Sequence, residues 1–472
     1  MYIKHTTGAA FCQRKARGFA GGRPAGEEQV AETGRKQPKI TDLRVAHIDG
    51  VPKHCILLKI YTDVGIVGYG EVRDASSATY ALMLKSRLLG ENPLNVEKLT
   101  ARIKQFGGHS RQGGGVSGIE IALWDIVGKY YGVPLYQLLG GRYRDKVRIY
   151  CDTDVDGRHT GRDMGRALKK RMQAGFTFLK MDLGIELLFD EPGCLGAPSG
   201  MLDDIRRYSM KALTHQRGSI DRDLMRGKNY EVFTVPHHAT GIRITEKGMD
   251  VLENYVKEVR EEIGYEVPLA VDHFGHAAIE DCIRFCRRLE KYNIAWIEDA
   301  APWQYTDHYR RLAESCCVPV CTGEDIYLAE NFEPLLSARA IAVAHPDVLT
   351  IGGAAEMKKL SALCEKYGVA LAVHMAESPV GFMAAVHVAA AMKNVLAVEF
   401  HSADCPAWAS LAKGLPDPLI RDGFVTVPDA PGLGIESLNE AAIRECAHAD
   451  YPEPWADTSA WDSEWSNDRL WS

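Results

Sequence analysis

The sequence predicts an α/β protein, a parallel (β/α) barrel preceded by a small α+β unit. Two observations predict it. Beyond Val147 eight short apolar runs recur with amphipathic stretches between them: "VRIYCD", "FTFLKMD", "VPLAVD", "IAWIED", "VPVCTGE", "DVLTI", "VALAVH" and "VLAVEF". Such runs suit parallel strands covered on both faces, and closure into a barrel is the economical arrangement of eight of them. The second is a polar group at the boundary of run after run. Asp272, Glu298 and Glu324 stand 26 residues apart, and Asp347, His374 and Glu399 follow at intervals of 23, 27 and 25. That interval is one strand, one helix and their loops.

Met1 to about Pro38 is rich in Gly, Arg and Ala and has no period on which to bury a face, so a flexible arm is expected. From Ile40 the runs "ITDLRVAHID", "HCILLKIYTD" and "GIVGYGEV" read as β-strands, with helical stretches following to about Gly140. Gly113, Gly115 and Gly118 spell GxGxxG, but no buried strand precedes them. A dinucleotide site is therefore rejected, and the glycines are read as a flexible entry to a packed helix. After the barrel, "GFVTVPDAPGLGIE" reads as a strand and loop returning to the N-terminal unit.

With 472 residues and 46% hydrophobic content the chain can bury a large core. A net charge of -7 argues against nucleic acid or an anionic membrane as the main partner, leaving a small ligand. The 12 cysteines form no zinc-type cluster and are read as free thiols. With no signal-like or spanning segment, a cytoplasmic setting is expected.

The C-terminal ends of adjacent barrel strands share one rim, so the recurring acids converge there. Three carboxylates in one place repel unless a divalent cation neutralises them, and an oxygen-only set of Asp272, Glu298 and Glu324 favours magnesium over zinc. For any one acid a helix cap is the commoner role, and Asp299 or Asp325 is expected to be only that. Lys180 and Asp182 are two apart on one strand face, both toward the mouth, where Asp182 is expected to hold Lys180 protonated. His374 is read as the base, with Asp347 orienting it and raising its pKa.

Taken together, "SGIEIALWDIVGK", "GVPLYQLLGG", "FLKMD", "AVD", "WIED", "TGED", "HPDVLTIGG", "AVH" and "AVEFH" resemble the mandelate racemase and muconate lactonizing enzyme branch of the enolase superfamily, from about Ile40 to Glu440. The resemblance implies a modified (β/α)7β barrel over 141–414, with an N-terminal capping domain over 39–140 completed by about 415–445. It implies magnesium on Asp272, Glu298 and Glu324, an Asp347–His374 acid/base dyad, a substrate contact from Glu399, and removal of the proton α to a carboxylate. Lys180 matches the first lysine of the family's KxK motif, while Asp182 replaces the second, which argues against two-base racemisation.

The reaction expected is dehydration of a sugar acid to a 2-keto-3-deoxy acid. Cycloisomerisation and epimerisation follow as alternatives, and a sugar-acid binding protein is the non-enzyme rival. A homo-oligomer is expected. The 92 residues from Lys180 to Asp272 exceed one barrel unit, so an insertion of about 184–244 is read as a lid, with an oligomer contact as the alternative. Its His237, His238 and Arg243, with His273 and His276, are expected to contact substrate. The tail 446–472 carries Trp455, Trp461, Trp465 and Trp471 and is expected to dock on the barrel or a neighbouring subunit.

Overall fold

The computed structural model describes residues 36–464 apart from 75, 105–112, 156–158, 189–190, 198–240 and 273–276. Its N-terminal unit is an antiparallel sheet in the order β1 (Ile40–Ile48), β2 (Cys55–Thr62), β3 (Val67–Val72). Helix α1 (Gly113–Tyr131) lies across β3. The glycines at its start correct the sequence reading, because Gly113 to Gly118 are buried within the helix and make no flexible entry. They let two backbones touch: a Cβ on Gly118 would lie 2.4 Å from the Glu71 carbonyl oxygen, and one on Gly115 would lie 2.2 Å from that of Tyr80. Close packing here sets where the end of β3 sits.

The barrel has eight parallel strands: β4 (Lys146–Thr153), β5 (Leu179–Asp182), β6 (Leu269–Asp272), β7 (Ile297–Glu298), β8 (Val320–Thr322), β9 (Val343–Ala344), β10 (Ala370–Val373) and β11 (Val395–Phe400). It closes where β11 pairs with β4, Glu399 opposite Tyr150. The sixth strand differs from expectation. Sequence reading put it on "DVLTI", whereas the strand is Val343–Ala344 and the later run forms a turn in which the amides of Thr350 and Ile351 donate to the Asp347 carbonyl. That apolar run is buried against the start of α1 instead of in the sheet, with the Thr350 carbonyl 2.9 Å from where a Gly113 Cβ would stand.

One buried cluster takes a residue from each stave: Tyr150, Phe178, Ala270, Trp296, Cys321, Val343, Ala372 and Ala397. Three aromatics on one side and small residues on the other fill the lumen, with Phe178 and Trp296 edge to face at 4.9 Å. Side chains on one strand face repeat every second residue, so the next inward layer is Asp152, Lys180, Asp272, Glu298, Gly323, His345, His374 and Glu399. An apolar plug thus carries an almost wholly polar layer directly above it.

The later chain ties the two parts together. Phe424–Thr426 pairs antiparallel with the start of β4, and Asp125 of α1 accepts from the amides of Tyr69 and Leu433, at 2.9 Å each. The two ends of the insertion meet, Leu195–Gly196 pairing antiparallel with Arg243–Ile244. Residues 189–190 and 198–240 of it, His237 and His238 among them, lie outside the described residues, as do His273, His276, Trp465 and Trp471. Trp455 and Trp461 dock on the N-terminal unit, where the sequence reading looked to the barrel or another subunit. The Lys59 ammonium lies 4.1 Å over the Trp455 ring, and Trp461 packs on that unit's core. Among the described residues no helix is long and apolar enough to cross a membrane.

Candidate active site

The polar layer is organised around Lys180. Its buried ammonium lies 2.7 Å from Asp272, 2.7 Å from Glu298 and 2.9 Å from Glu399. Burial alone would lower the lysine's pKa, but these three acids raise it well above the usual value, so the ammonium stays charged. They take the role that sequence reasoning gave to Asp182, which pairs in register with Asp272 and groups with Asp152 and Asp154.

Asp272 and Glu298 end consecutive strands, and Glu324 follows the next one by two residues. Glu298 is braced by the Trp296 indole N–H at 2.8 Å, from the plug below it on the same strand. Asp299 turns away from the strand with φ 46° and accepts from the Thr322 hydroxyl at 2.6 Å. The next helix begins only at Thr306, so Asp299 does not cap it, contrary to expectation. Burial, then Glu324, Asp272 and Glu298, push the Asp299 carboxyl well up, so these four carboxylates feel one another's charge.

His374 stands opposite. Its Nδ1 is 2.6 Å from Asp347, and its Nε2 faces Glu324 at 3.1 Å and Glu399 at 3.9 Å. The rise in its pKa expected from the sequence is not what the surroundings as a whole produce. Burial, and next the Arg73 guanidinium, hold the imidazole well below the usual histidine range and therefore neutral.

Four groups at this site escaped sequence reasoning. Arg73, just past β3, reaches from the N-terminal unit to Asp347 at 2.9 Å, Glu377 at 2.5 Å and Glu324 at 3.3 Å. No local signal marks it, because the close packing of α1 on β3 places it. His345 lies 3.0 Å from Glu298 and 2.5 Å from the Tyr150 hydroxyl, and Glu298 and Glu399 overcome burial to raise it to about 10. His401 lies 3.2 Å from both Asp152 and Glu399, which overcome burial to raise it to about 9. Both histidines were legible, since His345 precedes Asp347 by two and His401 follows Glu399 by two. Glu377 was not.

Glu399 accepts from Tyr150 at 2.9 Å; burial would raise its pKa, but Lys180, His401 and His374 lower it well below the usual range. Arg243 has another partner than a substrate, a two-pronged pair with Asp281 at 2.8 and 3.0 Å. The cysteines are free thiols among the described residues.

Residues 163–442 match the enolase C-terminal domain-like family, and residues 35–140 match the mandelate racemase / muconate lactonizing enzyme N-terminal domain. The chain belongs to the mandelate racemase and muconate lactonizing enzyme branch of the enolase superfamily. This enolase-superfamily enzyme is 31% identical to a D-xylonate dehydratase of Haloferax volcanii, over 85% of this chain and 87% of that one. It is 27% identical to a D-galactonate dehydratase of Cronobacter sakazakii, over 90% of this chain and all of the relative. Among solved structures it resembles a mandelate racemase/muconate lactonizing enzyme-like protein from Rubrobacter xylanophilus, with a TM-score of 0.72 and 29% identity over 88% of this chain and 99% of that one. In family terms the N-terminal α+β unit is the capping domain, and Arg73 carries it into the barrel's polar layer.

Proposed function

We propose that this superfamily member is a magnesium-dependent sugar-acid dehydratase that yields a 2-keto-3-deoxy acid. The observation that carries the reading is the placement of the His374 imidazole, bonded through Nδ1 to Asp347 with Nε2 turned to the carboxylate layer. The names of the D-xylonate and D-galactonate dehydratase relatives support the substrate class.

The carboxylates fit a hard divalent ion. Asp272, Glu298 and Glu324 offer only oxygen donors, stand at or just past the ends of three consecutive strands and, after burial, push Asp299 up with their charge. These three residues would hold the magnesium, which supplies positive charge for the substrate carboxylate as the adjacent carbon loses its proton.

His374 Nε2 takes the C2 proton, and Asp347 keeps the ring in the tautomer whose Nε2 is bare. His401, held charged between Asp152 and Glu399, gives a proton to the departing C3 hydroxyl, which leaves as water. Opposite shifts on two neighbouring imidazoles, whose ring centres are 5.9 Å apart, suit one to base work and the other to acid work. Lys180, charged and engaged by three acids, is poorly suited to serve as a second base, which favours elimination over epimerisation. Turnover of a panel of sugar acids, read as 2-keto-3-deoxy product, tests the reading.

A further inference from the structure

Outside the barrel mouth, three histidines and an acid meet where the C-terminal segment crosses the turn between β1 and β2. Residues 446–448 run beside residues 47–49: the Asp49 amide donates to the Cys446 carbonyl at 2.7 Å, the His448 amide donates to the His47 carbonyl at 3.0 Å, and Ile48 bridges Ala447. This backbone pairing places the His448 ring beside Asp49. The turn brings His54 back to the same point, its Nδ1 3.1 Å from one Asp49 oxygen, while His448 Nε2 is 3.9 Å from the other. One donor atom from each of Asp49, His54 and His448 lies within 4.8 Å of the others. The three side chains are half-buried and line a cavity of about 1200 Å³.

We propose that Asp49, His54 and His448 form a zinc-class metal site that fastens the C-terminal segment to the capping domain. Two imidazole nitrogens and one carboxylate oxygen are a borderline donor set, unlike the all-oxygen set in the barrel. Bonds of about 2.0–2.1 Å in a tetrahedron set donors roughly 3.3 Å apart, close to the 3.1 Å between His54 Nδ1 and its Asp49 oxygen, while His448 Nε2, now nearest the other Asp49 oxygen at 3.9 Å, closes in on binding. The cavity leaves the fourth corner to water.

His47 completes the arrangement from outside the ligand set. Its Nδ1 is 3.1 Å from His54 Nε2, and its ring stacks on Tyr451 at 3.9 Å. When His54 donates Nε2–H to His47, its Nδ1 lone pair is bare toward Asp49, the tautomer that a ligand needs. His448 must adjust. Its Nδ1 accepts from the Asp450 amide at 3.0 Å, so ligation through Nε2 moves the ring proton to Nδ1 and gives up that bond.

The test is zinc retention by the full chain after dialysis against excess magnesium, which competes for the barrel carboxylates. Wild type is expected to keep one zinc per chain and to melt higher with zinc. The double variant His54→Gln/His448→Gln is expected to lose both effects. Changing His47→Phe keeps a ring to stack on Tyr451 and is expected to weaken zinc by about 10- to 100-fold. Cobalt in place of zinc gives a second readout, an intense tetrahedral visible band in wild type that Asp49→Asn loses. Equal zinc in wild type and the double variant, or no zinc and no cobalt band in wild type, overturns the proposal.

Discussion

His374 Nδ1 lies 2.6 Å from an Asp347 carboxylate oxygen, and the backbones of the same two residues are joined by an isolated parallel bridge. The ring's position is therefore set by sheet geometry as well as by its own hydrogen bond. Replacing His374→Asn should leave the fold intact and lower kcat by about 100- to 10,000-fold, the usual contribution of a positioned base. Asp347→Asn keeps the ring but no longer fixes its tautomer, so the fall in kcat should be clear with KM changed little. Steady-state kinetics of the two variants check both outcomes.

His401→Gln should separate the two halves of the reaction. With His374 untouched, C2 of the substrate still exchanges with solvent deuterium, while loss of water slows by about 100-fold or more. Dehydration at the wild-type rate would mean that His374 itself returns the proton to the hydroxyl.

Lys180 is one charge among three acids, with 1% of its side chain exposed. Its replacement by Met leaves buried carboxylates without their cation, which should cost about 3–5 kcal/mol. Magnesium should restore part of that loss, because the ion supplies positive charge to the same oxygens. Chemical denaturation of Lys180→Met with and without magnesium measures both effects.

His387, buried in the helix after β10, has its pKa held down to about 4 by burial. In the unfolded chain the ring titrates near about 6.5, so the unfolded state binds more protons between the two values and stability falls as pH drops through that window. The contribution is complete above pH 6.5. By pH 5 this one group should have cost about 2 kcal/mol, and His387→Phe should show that much less loss than wild type. Urea midpoints of both proteins at pH 7 and pH 5 give the difference.

Much of the fold and of the site was legible, for one reason. The residue period of two along parallel strands carries both the plug and the polar layer, so Asp272, Glu298, His374 and Glu399 announced themselves by recurring once per unit. The same period applied to "HPD" and "EFH" points to His345 and His401. Arg73 was hidden because its place depends on glycine contacts between α1 and β3, which are tertiary and leave no spacing signal. The sixth strand was misplaced because its apolar neighbour "DVLTI" is buried by the capping helix, and burial alone does not distinguish that cover from a sheet. The direction of His374's pKa turns on Arg73 as well as on burial, so it too waited for the three-dimensional arrangement.

The central claim is that His374 removes the proton next to a sugar acid's carboxylate, with magnesium on Asp272, Glu298 and Glu324. A screen of sugar acids, D-xylonate and D-galactonate among them, run in deuterium oxide with magnesium and followed by mass and by 2-keto acid formation, tests it most directly. The account predicts a 2-keto-3-deoxy product, lost on chelation and lost in His374→Asn. Turnover that persists in His374→Asn or after chelation, or neither product nor C2 exchange with any acid of the panel, would contradict it.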